Sequence, residues 1–468
     1  RYGRGEIATA DSIFQRTLPL MPAAERCIWT DLGVLLDQAG RNAYADIPCE
    51  QRDAINTRIW WLATPMFTEA GNERRAEHFA RLVDIRLRSS DDPAERWDWQ
   101  PTHGGLAIRD MILRYGWPAY SYWAGHFEDV DHYTIYLGIR DTAIINAGIF
   151  ATAEYPITRV HTIPWWYVIA DPWHADDGDW TVSMPIRPDS TPDFGWWPRE
   201  HAPHAGETLV QLGDKQSAVF RRESDVLLAV ATDVRAADLH AAVGDQVQGT
   251  LILSPVPDSF VFIPHPSVVG TTVVMQDRMS PTPVVVGMEY RSTRTKAAAR
   301  TRFAVSPPAT LSSMLPGEIA VSEPALIRPT SLGTRAPSDP TIAIPLMLGS
   351  ATFPHGARVG VYWETYGVHN GETLDVAVRV SQRPPNTPGT QRPTPTTVNS
   401  PPTGITVQWR EPDPDRAVTA IPGAHPIQAR NVSLDLSSLQ PGDYEVEVSV
   451  ARPGTPPVAA RREIIILP

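Results

Sequence analysis

Residues 126–133 read HFEDVDHY, two histidines and three carboxylates within eight positions. His126, Asp129 and His132 recur every third residue. On a helix that spacing sets an imidazole, a carboxylate and an imidazole roughly on one face, the chemistry of a metal or acid–base site. Two other stretches raise the same question. HAPHAGE at 201–207 spaces His201, His204 and Glu207 like ligands, and HADDGD at 174–179 offers Asp176, Asp177 and Asp179 to a calcium ion. Each pattern is weakened by its surroundings. Gly125 and Tyr133 flank the first and a strand-like TIYLGI follows it, Pro203 disfavours a helix in the second, and the third lacks EF-hand spacing. Polar loops, and for the third an Asp-Gly turn, are the favoured readings. No metal or cofactor is expected.

Glu77 and His78 are adjacent in NERRAEHFARLV, so on a helix they point about 100° apart and cannot both line one small site. Arg74, Glu77, His78 and Arg81 read better as a buried polar network joining helices. The chain holds no G-x-S-x-G elbow, HExxH helix, P-loop or G-x-G-x-x-G, and no catalytic residue is assigned.

The elements around these residues follow from periodicity. AERCIWTDLGVLLDQ, CEQRDAINTRIWWLATPMF and GNERRAEHFARLVDIRLRSS carry apolar residues at spacings of three and four, predicting amphipathic helices, with turns at Ile47-Pro48 and Ala70-Gly71-Asn72. HGGLAIRDMILRYGWP predicts a fourth. From about 126 to 204 the periodicity fails and Trp, Pro, Asp and Gly crowd together. Long irregular connectors carry function or contacts. Beyond Gly206 the pattern becomes that of strands, from VLLAVATDV to TRFAVSP, and then, past a proline-rich break, from TIAIPLML to RREIIILP. LQPGDYEVEVSV resembles the corner of immunoglobulin-like sandwiches at which a tyrosine, here Tyr444, bonds back to the backbone. Trp363 and Trp409 are expected as core plugs between sheets.

The expected architecture is therefore α+β and multidomain. It comprises an N-terminal arm (1–20), a helical domain (21–125), an irregular Trp/Pro-rich connector (126–204) and two tandem immunoglobulin-like β-sandwiches (205–308 and 317–468). With 468 residues, two to four domains are expected. The balance of 41 basic against 53 acidic residues gives a net charge of −12 and argues against nucleic acid as a partner. No apolar run approaches the eighteen or so residues that span a bilayer, so no direct membrane span is expected. Cys27 and Cys49 are the two cysteines. They fit either one disulfide in an oxidising compartment or two buried thiols, and the disulfide is expected because both lie at edges of predicted helices that should pack as a hairpin.

Six tryptophans, Trp165, Trp166, Trp173, Trp180, Trp196 and Trp197, fall in the irregular connector. Internal packing, sugar stacking and a protein interface are all open to them. Trp165, Trp166, Trp196 and Trp197 are the candidate interface anchors, since large aromatic rings carry much of the binding energy at interfaces.

IWWLATPMFTEAGNERRAEHFARLV, HGGLAIRDMILRYGWP, VFRRESDVLLAVATDV, ARVGVYWETYGV and LQPGDYEVEVSV, in that order, resemble the GWxTD-domain-containing proteins of Gemmatimonadota. Trp61, Pro65, Asn72, Arg74, Glu77, His78 and Arg81 fit the first block, and Arg114, Tyr115, Gly116 and Pro118 the second. The name-giving motif is absent, with WDWQPTHGG in its place. The resemblance implies export and this architecture, and no reaction. Phototrophic members of that phylum are similar in carrying a large extracytoplasmic subunit on the photosynthetic reaction centre. The resulting expectation is a non-catalytic, periplasmic or extracytoplasmic scaffold, peripheral to the membrane, that bridges protein subunits of a membrane-associated complex such as that one. A cell-envelope glycan-binding protein is the alternative, and a metal-dependent hydrolase the third.

Overall fold

The computed structural model describes residues 5–36, 38–88, 113, 120–123, 134–137, 143–146, 151–154, 209–212, 214–329, 340–369, 371–383, 404–411 and 425–468. The N-terminal part is helical: α1 (Ile7–Thr17), α2 (Ala23–Trp29), α3 (Gln38–Ala45), α4 (Asp53–Ala63) and α5 (Glu73–Arg88). Asp53 and Glu73 open α4 and α5, where a carboxylate favours the positive end of the helix dipole. Between them Gly71 turns the chain with φ of 77°, and a Cβ there would stand 2.9 Å from Ala8 Cα. Only glycine allows both the backbone conformation and the close approach of α1.

Two helical expectations need correction. Residues 7–17 are not part of an arm. They form α1, which packs on α5 and buries Asp11, whose carboxylate receives Arg75 Nε and Nη2 at 2.7 Å each and the Asn72 N–H at 3.0 Å. AERCIWTDLGVLLDQ is not one helix. It stops at Trp29 because Asp31 Oδ1 takes the Gly33 N–H at 2.8 Å and the Tyr44 hydroxyl takes that of Leu32 at 3.2 Å, diverting the chain into a 3-10 turn, Gly33–Leu35. Trp60 and Trp61 are core, together with Leu32, Leu35, Ile59 and Phe67.

Part of the stretch expected to be irregular is strand. β2 (Thr134–Leu137) pairs antiparallel with β3 (Ala143–Asn146), and β4 (Ala151–Glu154) with β1 (Tyr120–Trp123), which lies in the span expected to be the helical domain. Ile135, Tyr136, Ile144 and Ile145 in β2 and β3 and Tyr120, Tyr122 and Trp123 in β1 are of types that favour strands. The predicted helix HGGLAIRDMILRYGWP, Leu113 apart, lies outside the described residues.

The first β unit has eight strands: β5 (Leu209–Gln211), β6 (Lys215–Arg221), β7 (Val226–Asp233), β8 (Gln246–Val256), β9 (Ser259–Val268), β10 (Thr272–Met279), β11 (Val284–Arg291) and β12 (Ala298–Val305). A three-stranded sheet, β10-β7-β6, and a five-stranded one, β5-β12-β11-β8-β9, enclose one core that includes Val219, Leu228 and Val230 from the first sheet and Leu251, Val286 and Met288 from the second. This is a two-layer sandwich.

The second unit comprises β13 (Ala320–Val321), β14 (Ala325–Ile327), β15 (Thr352–Pro354), β16 (Arg358–Tyr366), β17 (Leu374–Gln382), β18 (Gly404–Glu411), β19 (Ile427–Asp435), β20 (Gly442–Ala451) and β21 (Val458–Leu467). β16 carries β13 and β14 along one side and β19 along the other. The facing sheet runs β15-β21-β20-β17-β18. Trp363 is fully buried between them, and Trp409 packs against the same core with its ring 6.3 Å away. The Tyr444 hydroxyl donates to Gln440 O at 2.9 Å, four residues back. TIAIPLML is not a strand. Pro340–Ala343 is a helical turn that runs into a 3-10 turn, Ile344–Leu346, since Pro345 has no N–H for a ladder.

Candidate functional site: two buried joints

Most strands of a sandwich alternate between core and solvent, and β18 does so, half-burying Ile405, Val407 and Trp409 on one face only. β7, β11, β12 and β16 do not. Each is buried along almost its whole length, so both of its faces are covered. These strands mark two joints between the three parts of the molecule.

The first joint seats the helical part on the first sandwich. Val285 and Ile252, on the outer face of the five-stranded sheet, pack into the helical core. Beside them a buried polar set closes the contact. Glu289 on β11 accepts the Phe67 N–H at 2.8 Å, the Thr68 N–H at 3.0 Å and the Thr68 hydroxyl at 2.7 Å. Arg300 and Arg302 on β12 donate to the last carbonyls beyond α4: Arg300 Nη1 to Thr64 O at 3.0 Å and to Pro65 O, and Arg302 Nη1 to Thr64 O at 2.9 Å. Two cations at a helix C-terminus meet both its unsatisfied carbonyls and the negative end of its dipole. Arg302 also lies 3.6 Å over the Phe67 ring, and Trp61 Nε1 donates to Ser254 Oγ at 2.9 Å.

The second joint binds the sandwiches together. Ala218, Phe220, Ala229 and Ala231 on the outer face of β6 and β7 share an apolar core with Ala325, Ile327, Ile344, Met347 and Tyr362 of the second sandwich. At its centre is Glu364, fully buried on β16. Its carboxylate accepts Arg222 Nη1 at 2.8 Å, Arg222 Nη2 at 3.2 Å and the Tyr366 hydroxyl at 2.8 Å. Tyr366 in turn accepts the Arg221 N–H at 3.0 Å. Burial, and then the charge of Glu364, push the Tyr366 phenol well above its ordinary range. Burial pulls Arg222 down, but Glu364 and the neighbouring tyrosines leave it above its ordinary value. Gln216 grips the partner backbone, giving its amide N–H to Leu326 O at 2.9 Å and Leu348 O at 2.8 Å while its carbonyl takes the Leu326 N–H. Arg462 reaches Pro324 O on its own sandwich and Ser217 O on the other.

The residues singled out in the sequence fall as follows. Cys27 on α2 and Cys49 in the turn before α4 are bonded, with Cα atoms 5.8 Å apart. Arg74, Glu77, His78 and Arg81 are all buried on α5. Arg81 bonds Glu77 and donates to Leu113 O at 2.7 Å. Trp165, Trp166, Trp173, Trp180, Trp196 and Trp197, the stretch HFEDVDHY with His126, Asp129 and His132, HADDGD and HAPHAGE all lie outside the described residues. Among the described residues no three His, Cys, Asp or Glu are grouped to hold a metal ion, and no helix is long and apolar enough to cross a membrane. Glu289, Arg300, Arg302, Gln216, Arg222 and Glu364 escaped the sequence reading. The available signal was a charged residue set within an otherwise apolar strand, as in VVVGMEY and VYWETY.

No family model and no curated protein matches the chain. Among solved structures, similarity extends to the chicken CNTN1 FN1-FN3 domains, with 11% identity over 58% of this chain and 68% of that one at a TM-score of 0.18. The receptor tyrosine kinase Torso matches at 10% identity over 56% and 79% with a TM-score of 0.14, and red sea bream transglutaminase at 10% over 55% and 32%, also 0.14. Superposition this loose transfers neither fold nor activity.

Proposed function

We propose that the chain is a non-catalytic structural subunit, a rigid spacer that bridges protein components of an extracytoplasmic or membrane-associated assembly. The observation behind this reading is the pair of joints. Helical part and first sandwich are connected by buried arginine-to-carbonyl hydrogen bonds and a shared apolar core, and the two sandwiches by a buried ion pair and another, whereas a chain of independent modules would have small, polar contacts between them. Such a body holds its ends at a fixed distance. The Cys27–Cys49 bond suits an oxidising compartment. We read both sandwiches as immunoglobulin-like, supported in the second by the Tyr444 corner. The resemblance to GWxTD-domain-containing proteins of Gemmatimonadota names the photosynthetic reaction-centre complex as the assembly, with Trp165, Trp166, Trp196 and Trp197 as its contacts.

Purification in mild detergent from the native organism, with mass spectrometry of what accompanies the chain, tests this reading. Reaction-centre or other membrane subunits should co-purify. Alanine at the four tryptophans should weaken that association while the isolated protein stays folded. Glycan affinity without any co-purifying membrane partner would replace the spacer with the glycan-binding alternative.

A further inference from the structure

β9 ends the five-stranded sheet of the first sandwich, and among the described strands only β8 pairs with it. Its middle, residues 260–263, reads FVFI and is apolar on both faces. Phe262 stands opposite Ile252, on the side of the helical part, and Val261 opposite Leu253, on the side of the sandwich core. In β7, β11, β12 and β16 the same loss of alternation goes with cover on both faces. β9 has the pattern without the cover: Val256, Val261 and Phe262 are 54%, 50% and 47% exposed. The edge strand β18 of the second sandwich instead turns Thr406, Gln408 and Arg410 outward, the ordinary protection of a sheet edge.

The exposed rings continue the first joint. Phe262 stacks 5.8 Å from Phe260, which packs on the helical core and lies 4.9 Å from Phe67. One apolar surface therefore runs from a contact inside the chain to the free edge.

The backbone limits what can pair there. Pro264 and Pro266 have no N–H, so they fit where that group would point away from β8, and Phe260 and Phe262, at the same parity, turn their N–H groups outward. On the other side Asp258 takes a φ of 60° and turns the chain out of the strand. The stretch free to pair is thus 259–263, centred on Val261.

We propose that β9 pairs antiparallel with β9 of a second copy of this chain, about a twofold axis at Val261. Phe260 and Phe262 of each copy then exchange both backbone hydrogen bonds with Phe262 and Phe260 of the other, their rings stand opposite one another, and the prolines fall outside the pairing. A longer foreign strand would find no donor at Pro264 and Pro266. Asp258 is the one carboxylate of the hairpin 254–266, which has no lysine or arginine, and in this register it meets Pro264 of the other copy. Two chains of net charge −12 so bring no like charges face to face at the contact. The contact is isologous and closes on itself, and it does not depend on the spacer role.

Sedimentation of the full chain from about 10 µM to about 1 mM tests it. A short strand pair buries less than the ~1,200 Å² of a standard interface, so a Kd of about 0.1–1 mM is expected. Val261→Lys sets two ammonium groups opposite each other and should weaken the dimer at least about tenfold. Directly opposite residues at the axis have Cα atoms ~4.5 Å apart, within disulfide reach. Val261→Cys should therefore link into dimers under mild oxidation at least about tenfold faster than the comparably exposed Val256→Cys. The unaltered chain decides by itself should a variant misfold: a monomer at about 1 mM overturns the proposal. A dimer that Val261→Lys leaves intact, or equal linking of the two cysteine variants, overturns it too. Protection of the β9 amides from hydrogen exchange in a monomer purified with its assembly would give the edge to a foreign strand, and overturns it as well.

Discussion

Arg222 and Glu364 are 142 residues apart in the chain and 2.8 Å apart in space, one on each side of the contact between the two sandwiches. Their side chains are 12% and 0% exposed, so the pair is sheltered from water. Breaking such a pair leaves the other charge stranded, whereas replacing both partners by apolar groups need not. Glu364→Ala should lower unfolding free energy by about 3–5 kcal/mol, with Arg222→Met/Glu364→Leu costing clearly less. Urea denaturation of the three proteins checks this; a double variant as unstable as the single one would mean that the charges, and not their mutual compensation, hold the joint.

The same cluster sets a response to alkaline pH. Tyr366 is held well above its ordinary value in the folded protein, while in the unfolded chain it titrates near pH 10. Above that pH the unfolded state has released a proton that the folded state keeps. Stability is therefore fully present below pH 10 and falls above it by about 1.4 kcal/mol per pH unit for each such tyrosine. Tyr290, raised by burial, acts in the same direction. Tyr366→Phe should make the decline between pH 10 and 11 shallower by about one proton, read from denaturation midpoints, and an unchanged slope would remove Tyr366 as its source.

Much of the architecture was legible because its causes are local. The period of two in GITVQWRE reports a single covered face, and strand β18 stands where that pattern puts it, as helix α5 stands where the spacings of three and four in NERRAEHFARLV put it. The joints were not legible, because a strand covered on both faces loses its period. VLLAVATD reads merely as apolar, although Leu228 and Val230 face one core and Ala229 and Ala231 another. TIAIPLML misled in the same way: Ile344 and Met347 are apolar because they fill the second joint, not because they lie in a strand. Glu364 shows the limit most clearly. Nothing near it in sequence supplies its cationic partner, and only folding brings Arg222 to it.

Gly349 offers a steric probe of that joint. A Cβ built on it would stand 2.6 Å from the Asp233 amide nitrogen and from the Thr232 carbonyl carbon on the first sandwich. Backbone cannot yield as a flexible side chain would. Gly349→Ala should therefore cost about 1–3 kcal/mol and increase the radius of gyration in small-angle scattering as the sandwiches part. An unchanged profile with unchanged stability would show that the joint has room to spare at this point.

At the other joint Glu289 receives three donors from the 67–68 loop. Glu289→Ala strands them together with Arg302, whose Nη2 is 3.4 Å from the same carboxylate. A loss of about 3 kcal/mol or more is expected, with faster proteolysis near residues 64–70 as the loop lifts from the sheet. Cleavage confined to other sites in the variant would mean that the arginines alone hold the loop.

The Cys27–Cys49 bond closes a loop that contains α3, and its sequence separation is 22. In the chain-entropy account, restricting a loop of that size in the unfolded state stabilises the fold by about 3 kcal/mol. The gain is local. Reduction relaxes α2 and the turn before α4, but it touches none of the strands that build the two sandwiches. Dithiothreitol, or Cys27→Ser/Cys49→Ser, should therefore lower the melting temperature of the far-ultraviolet helical signal, at about 4–8 °C per kcal/mol for a small domain, while the sheet transition moves less. The first joint transmits part of the effect, because Val285 and Ile252 share the helical core. Mass-tagging comes first, since two free thiols in the native, unreduced protein would remove the bond and with it the argument for an oxidising compartment.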